Sequence, residues 1–534
     1  MERNPSGCSV LDHHHALVLG GFVDFEAEIN MNYLQGQHIL ILGLGSSGLA
    51  MVRWCVMAGA EVTVADTRDA PPNLSVLQAE LPQVRWLSGP FNASYVEGTS
   101  VRAVFVSPGL APQETAPVLD AAKALGLWVG GELTLFVQAL EKLKATRDYS
   151  PQILAITGTN GKTTVTSLTG QLIERAGKTV KVAGNIGPTL LDTLRLSLDT
   201  DLPEVWVLEL SSFQLDNVGP FEPSAATVLN VTQDHLDWHG SMAAYAAAKQ
   251  NIFGTQSLMV LNRDDAMVMA MLPEPIRAKL QKPIEREHVT FGAGMPERPG
   301  DFGLETVNGM TWLVRALESD ETRRLRKGEV EEIHIQRLMP ADALRIRGRH
   351  NAVNALAALA LATSTGSSLA SMLFGLREYK GEPHRVESVA IVHDVEYFDD
   401  SKGTNVGATV AALNGLGAER RVVVILGGDG KGQDFSPLAE PVSRYTRAVV
   451  LIGRDAPLIR EELKLCGVPL IDASTLPEAV NAAKDVAQAG DAVLLSPACA
   501  SFDMFRDYPH RAQVFCQAVA DIADAAGQMV EGSL

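Results

Sequence analysis

The stretch that decides the fold reads Ile153-Leu154-Ala155-Ile156-Thr157-Gly158-Thr159-Asn160-Gly161-Lys162-Thr163-Thr164. A short apolar run ends in a polar turn with two glycines, and an apolar helical pattern follows. Strand, Gly-rich turn and helix in that order make a phosphate-binding loop. Its backbone N–H groups cradle phosphate, Lys162 reaches the β and γ oxygens, and the Thr163 hydroxyl joins a Mg2+ shell. The spacing is tighter than the common Walker A, with only two residues between Gly158 and Gly161.

Outward from this loop, short apolar runs alternate with helical stretches, at 38–42, 61–65, 102–106, 152–156, 205–210, 225–231, 421–426, 448–452 and 491–496. The alternation predicts parallel α/β sheets. In the first unit Gly43-Leu44-Gly45-Ser46-Ser47-Gly48 follows a strand and opens a helix, and Asp66 ends the next strand. That is a dinucleotide-type fingerprint: the helix start offers N–H groups to a diphosphate, and Asp66 can accept from a ribose or base. The motif leaves NAD, FAD and a nucleotide sugar open. The polar segment Glu141 to Pro151 suits one domain boundary and Gly381-Glu382-Pro383 a second. The expected division is an extension at 1–35, flexible and of open role, then domains at 36–148, 149–380 and 381–534. Residues 273–343 carry Pro, Gly, charge and weak strand signals, which predicts an elaboration at the edge of the middle domain. His13, His14 and His15 do not make a metal site, because consecutive side chains diverge. Met31, just before the first strand, is an alternative start.

Further candidates lie at strand ends. Glu209 closes an apolar strand, where a carboxylate faces bound nucleotide and suits Mg2+. His235 follows another strand end between two acids and reads as a metal or substrate ligand. Lys249, on an Ala-rich helix, reads by itself as a solvated surface lysine. Three polar loops, Asp399 to Asn405, Gly427 to Gly432 and Ser496 to Asp503, each follow a strand, and together they offer what an amino-acid pocket needs.

The whole chain sets bounds. Its 534 residues call for about three domains, and 46% hydrophobic against 20% charged residues is a globular balance. A net charge of -18 without a basic run excludes a nucleic-acid partner. Five scattered cysteines without CxxC spacing exclude a disulfide framework or zinc site. No apolar stretch reaches the roughly 18 to 20 residues of a membrane span, and a cytoplasmic location is expected.

Taken together, TGTNGKTT, GNIG at 184–187, ELSSFQL at 209–215, DHLDWH at 234–239, GRHN at 348–351 and the DSKGTN, GGDGKG and SPACAS loops resemble the Mur ligase family of peptidoglycan synthesis. The resemblance runs from about residue 36 to 530, and Ser401-Lys402 with SPACAS selects its D-glutamate-adding branch. It implies a Rossmann-like N-terminal domain, a central P-loop ATPase-type domain and a Rossmann-like C-terminal domain. It also implies ATP-dependent addition of D-glutamate to UDP-MurNAc-L-Ala through an acyl phosphate, with two Mg2+ ions, by a monomer. By this carry-over Gly45, Ser46, Ser47, Gly48, Asp66, Thr67, Arg68 and Asn185 bind the UDP substrate. Gly158, Thr159, Asn160, Gly161, Lys162, Thr163 and Thr164 hold ATP, with Asn351, Asn354, Arg385 and Asp400. Thr163, Glu209, His235 and a carbamylated Lys249 hold metal; Lys162, His235 and Lys249 are catalytic. Lys402, Thr404, Lys431, Ser501 and Tyr508 form the glutamate pocket. The N-terminal extension and the long 273–343 segment depart from the family pattern. A sister ligase such as a folylpolyglutamate synthetase, an NAD-dependent oxidoreductase, and a nucleotide-binding regulatory module are the rivals.

Overall fold

A computed structural model of the chain describes residues 32–528 apart from 217, 278–282 and 320–331. The histidine run at 13–15 lies outside these residues, as does most of the expected extension. Residues 32–35 are packed: Leu34 is buried, its N–H donates to the Ala58 carbonyl at 3.0 Å, and the Trp54 indole donates to the Tyr33 hydroxyl at 2.8 Å.

The first sheet comprises β1 (His38–Leu42), β2 (Glu61–Asp66), β3 (Arg85–Ser88), β4 (Val101–Val106) and β5 (Trp128–Gly130), in the order β3-β2-β1-β4-β5. The second comprises β6 (Gln152–Thr157), β7 (Val180–Gly184), β8 (Val205–Glu209), β9 (Ala225–Val228), β10 (Leu258–Asn262) and β11 (His288–Phe291), in the order β11-β10-β9-β6-β8-β7. Every pairing in both is parallel. Helices cover both faces, so the inner strands β1, β8 and β9 are buried along nearly their whole length rather than alternating, while the edge strands β3 and β7 carry exposed polar residues such as Arg85 and Lys181.

Residues 273–343 hold more strand than their composition suggests. Besides β11, they form an antiparallel sheet of β12 (Phe302–Val307), β13 (Met310–Glu318) and β14 (Ile333–Pro340). Asn308 and Gly309, both at positive φ, form the two-residue turn between β12 and β13. That Asn-Gly pair is the strongest short hairpin signal a sequence carries.

The third sheet comprises β15 (Glu387–Val392), β16 (Val395–Asp399), β17 (Val422–Gly427), β18 (Thr446–Ile452), β19 (Leu470–Asp472) and β20 (Ala492–Leu495), ordered β15-β16-β20-β17-β18-β19. Only β15 runs antiparallel, through a tight turn at His393 and Asp394, both left-handed. The mixed α/β architecture with parallel sheets in three domains is the expected one.

Glu141 to Arg147, read above as a polar break, are the last turns of the helix Glu132–Arg147, which Asp148 ends in the left-handed conformation. The inner face of this helix is apolar and one core runs through it from the first sheet to the second. Phe136 on the helix meets Trp206 of β8 edge-on, 5.2 Å between ring centroids. The buried Trp206 indole donates to the Tyr149 hydroxyl at 2.9 Å, and that hydroxyl donates to the Pro203 carbonyl at 2.6 Å. Trp206→Ala should therefore lower unfolding stability by about 3–5 kcal/mol, read as a lowered urea midpoint, while Tyr149→Phe costs about 1–3 kcal/mol for the stranded indole N–H.

Candidate active site

Sheet order places the candidate residues on adjacent strand ends. In the second sheet β9, β6, β8 and β7 are neighbours, so the loops after them bring together Asn230 to His235, Gly158 to Thr164, Glu209 and Asn185. In the third, β16, β20 and β17 are neighbours and place the Asp400, Ser496 and Gly427 loops side by side. An antiparallel bridge pairs Asp429 with Ala500 across two of them.

The phosphate loop owes its shape to two glycines. Gly158 stands at φ +153 with Leu229 packed where a side chain would grow: an added Cβ would lie 2.9 Å from the Leu229 Cβ. Gly161, at φ +83, caps the helix Lys162–Arg175, and its added Cβ would lie 2.8 Å from Asn354 Oδ1. The loop's neighbour supplies its hydrogen bonds: Thr159 N–H donates to the Asn230 carbonyl (3.0 Å) and Asn160 N–H to Asn230 Oδ1 (2.8 Å). Lys162 Nζ folds back to donate to the Gly158 and Thr159 carbonyls at 2.9 and 2.8 Å. Burial lowers its pKa, as does the Arg385 charge, against opposing pull from Glu209 and Asp234.

Glu209 is 1% exposed. Its Oε1 accepts from Asn185 Nδ2 at 2.9 Å, while Oε2 is buried with no hydrogen-bond partner. A buried carboxylate oxygen left open beside a phosphate loop fits a cation, and with the Thr163 hydroxyl it makes a hard-oxygen donor set suited to Mg2+. His235, at φ +53, has its Nε2 3.7 Å from Asp234 Oδ2, and burial lowers its pKa, which favours the neutral imidazole that a metal would need.

Lys249 is the clearest correction to the sequence reading. It is not a solvated surface lysine but 1% exposed, donating from Nζ to the Gly158 carbonyl at 3.0 Å and lying 4.5 Å from the Tyr245 ring centre. Desolvation, then repulsion from Lys162, holds its pKa well below the usual lysine value. Tyr245, which the sequence reading missed, reaches the Thr159 hydroxyl at 3.2 Å. Its i, i+4 spacing to Lys249 on one helix was the available signal.

The third domain touches this loop directly. Arg385 Nη2 donates to Thr163 Oγ1 at 2.8 Å. Asn405, also missed as an individual residue, exchanges side-chain hydrogen bonds with Asn160 and donates to Asp234 Oδ2 at 3.3 Å. One cleft is lined by Asn160, Gly161, Thr164, Asn351, Asn354, Arg385 and Asp400, seven of the eleven residues expected at ATP; Gly158, Thr159, Lys162 and Thr163 are not part of its lining. Asp400 accepts from Ser496 Oγ at 2.6 Å, and burial pushes its carboxyl up to about 7.

Of the expected glutamate pocket, Lys402 has its Nζ 5.4 Å from the Tyr508 ring centre and its pKa lowered to about 8, first by burial and then by Arg385. Thr404 N–H donates to the Lys402 carbonyl at 2.9 Å, and Ser501 is buried. Lys431, at φ +50, has its N–H on Asp429 Oδ1 at 3.0 Å, and its charge weighs on His235. Arg511, which has no sequence signal beyond its helix, is buried and donates to the Ser401 and Cys499 carbonyls at 2.7 and 3.1 Å, tying two pocket loops together.

At the first sheet the glycine-rich turn lies at the β1/β4 switch point, where ligands of open α/β sheets bind. An added Cβ on Gly48 would lie 2.0 Å from the Gly43 carbonyl oxygen, so only glycine lets the helix close onto the strand. Asp66 is fully buried, and both its oxygens are taken: the Leu44 N–H donates at 2.8 Å, and Arg68 donates through Nε at 2.8 Å and Nη2 at 2.7 Å. Asp66 thus braces the turn and aims Arg68, while Thr67 is exposed.

Gly158→Ala should destabilise by about 2–4 kcal/mol through strain and collision, against about 1 kcal/mol for Gly177→Ala. Gly177 also has positive φ but nothing within 4 Å. Paired thermal melts check the difference.

Comparison with known proteins agrees with the geometry. The MurD-like N-terminal domain of Mur ligases matches residues 37–131, the Mur ligase middle domain 156–362 and the Mur ligase glutamate ligase domain 384–499. The UDP-N-acetylmuramoylalanine–D-glutamate ligase of Albidiferax ferrireducens is 68% identical, over 94% of this chain and 100% of that protein. The protein of the same name from a Polaromonas species is 58% identical, over 93% and 100%. Among solved structures, the Thermotoga maritima UDP-N-acetylmuramate-alanine ligase MurC shares the fold at 19% identity and TM-score 0.52, over 91% of this chain and 99% of that one. These matches along nearly the whole length show that the chain belongs to the Mur ligase family.

Proposed function

We propose that this chain is an ATP-dependent, ADP-forming ligase that adds D-glutamate to UDP-MurNAc-L-Ala, acting as a monomer in the cytoplasm in peptidoglycan precursor synthesis. The observation that carries the reading is the convergence on the phosphate loop of a buried carboxylate with one unpartnered oxygen, Glu209, a buried amine, Lys249, and an arginine from the third domain, Arg385. The names of the relatives at 68% and 58% identity support the choice of substrates. No described helix is long and apolar enough to cross a membrane.

In this reading the UDP moiety lies on the glycine-rich turn, with Ser47 and Arg68, and Asn185 meets the sugar-peptide portion. The L-alanyl carboxylate attacks the γ-phosphorus of ATP, ADP leaves, and an acyl phosphate forms. Two anions must meet for this, so Lys162 swings from its own loop carbonyls to neutralise the phosphoryl oxygens. Mg2+ held by Thr163, Glu209, His235 and a carbamylated Lys249 would supply further charge neutralisation. Arg385 and Asp400 bring the third domain onto the nucleotide. Lys402, Lys431, Thr404, Ser501 and Tyr508 then present the D-glutamate amine to the acyl carbon, the nitrogen of the tetrahedral adduct gives up a proton to solvent, and the adduct expels phosphate to leave the amide. Water must stay out while the acyl phosphate exists, which the Asn160–Asn405 contact between domains favours.

Carbamylation of Lys249 requires a neutral amine to add CO2 with loss of one proton, and its buried surroundings favour that form. The product would be an anion and would offer Mg2+ an oxygen donor where an ammonium would repel it.

Phosphate release that depends jointly on UDP-MurNAc-L-Ala and D-glutamate tests the function; release with either alone, or with glutamate and a folate in place of the UDP substrate, would refute it. Lys162→Ala should lower kcat by about 10² or more without changing the melting profile by more than a few degrees. Lys249→Ala should be nearly inactive and partly rescued by formate or acetate, whereas Lys249→Arg should not respond to either.

A further inference from the structure

Two glycines stand in the third-domain helix Val406–Gly417 where the backbone does not ask for them. Neither Gly407 nor Gly415 is at positive φ, and glycine within a helix is less stable than alanine. What they meet lies in another domain. A Cβ added to Gly407 would lie 2.9 Å from Thr232 Oγ1 and 3.1 Å from Asn160 Nδ2, on the loop after β9 and on the phosphate loop. Gly415 is buried, and its added Cβ would lie 2.9 Å from both Cε1 and Nδ1 of His350, in the first turn of the middle-domain helix Arg349–Thr363. Backbone stands there too, with the Gly348 Cα 3.5 Å from the same Cβ. Gly417, two residues on, is also tight, but against the Tyr445 ring of its own domain.

Gly407, Ala411 and Gly415 are spaced four apart and so form one ridge along the helix. On one side of it Ala408 and Ala412 wall the cleft that holds the residues expected at ATP. On the other side Val410 and Asn414 face a cleft of about 880 Å3. Asn230, Ile346, His350 and Asn354 of the middle domain line both clefts, as does Ala411, so the ridge and these residues form the seam between them. The same helix is capped by Asn405, which bonds Asn160, and is preceded by the segment that carries Asp400, Lys402 and Thr404.

We propose that Gly407 and Gly415 are positioning residues for the ATP step: their missing side chains let the helix Val406–Gly417 seat against Thr232 and His350, and that seating sets the distance of Asp400 and Arg385 from the phosphate loop. The inference rests on the functional reading above. Non-bonded heavy atoms settle at about 3.5–4.0 Å. One methyl group at Gly415 therefore drives the helix and the His350 ring apart by roughly 0.6–1.1 Å. A shift of about 1 Å in groups that hold a reacting phosphate costs on the order of 10² in rate. The third domain itself loses nothing, because alanine suits the helix better than glycine.

Steady-state kinetics of the full chain for each substrate, with thermal melts in the absence of substrates, test this. Gly415→Ala should lower kcat/KM for ATP about tenfold or more, leave the KM for UDP-MurNAc-L-Ala within about threefold, and hold the melting temperature or raise it by up to about 3 °C. Gly407→Ala should move the kinetics the same way. Gly417→Ala, whose collision is inside the third domain, should lower the melting temperature instead. His350→Ala removes the ring that the new methyl group meets, so adding Gly415→Ala to it should cost no more than about threefold in kcat/KM for ATP. Unchanged ATP kinetics in both Gly407→Ala and Gly415→Ala, a melting temperature lowered by Gly415→Ala as by Gly417→Ala, or an equal cost of Gly415→Ala with and without His350 would each overturn the inference. If His350→Ala does not fold, the ATP kinetics and melt of Gly415→Ala against those of Gly417→Ala decide alone. Absence of turnover by the wild type on UDP-MurNAc-L-Ala and D-glutamate would instead overturn the functional reading.

Discussion

Asn230 grips the phosphate loop on both backbone groups of one residue, Asn160. Its Oδ1 accepts from the Asn160 N–H at 2.8 Å and its Nδ2 donates to the Asn160 carbonyl at 3.0 Å, while its own carbonyl takes the Thr159 N–H. These bonds hold a loop whose glycine conformations leave it few internal hydrogen bonds. With the loop so fixed, the Gly158 carbonyl faces both Lys162 and Lys249, and the Asn160 side chain is presented to Asn405 of the third domain. Contacts to the third domain start from this one clamped turn, as do the nucleotide and metal contacts proposed above.

The charges gathered there would be costly in isolation. Lys162, Lys249, Glu209, His235 and Asp234 lie within interacting range, with the two amines and the imidazole losing protons more readily than usual through burial. Such shifts are what proton-transfer and metal sites require, and they cost stability in the absence of ligand. The buried Glu209 Oε2, without a hydrogen-bond partner, adds a desolvation cost of its own. Ligands that bind this centre repay the strain by mass action, so substrate binding and folding stability are linked in this chain.

The third domain enters through two kinds of contact. Arg385, at its start, reaches Thr163 from a segment without regular structure, and Asn405 caps a helix while reaching Asn160. Arg511 acts inside the domain, where its guanidinium spans the carbonyls of Ser401 and Cys499 and so couples the DSKGTN and SPACAS loops. The position of these two loops, proposed above to hold the amino acid, is therefore set by a buried side chain on the last helix.

By itself the sequence determined the parallel α/β class, the phosphate loop, the glycine-rich turn and the strand-end position of Glu209 and His235. All of these rest on local rules: apolar runs that strands need and glycines that tight turns need. The Asn308-Gly309 hairpin was equally local, though a composition reading passed over it. Tertiary structure alone decided that Lys249 is buried, that both Asp66 oxygens are spent on Leu44 and Arg68, and that Glu132 joins two domains. It also decided which loops are neighbours, since strand order in a sheet follows from the packing of crossover helices and not from order along the chain. Burial, a charged group's surroundings and the partner of an acceptor are sums over residues far apart in sequence, and no local pattern encodes them.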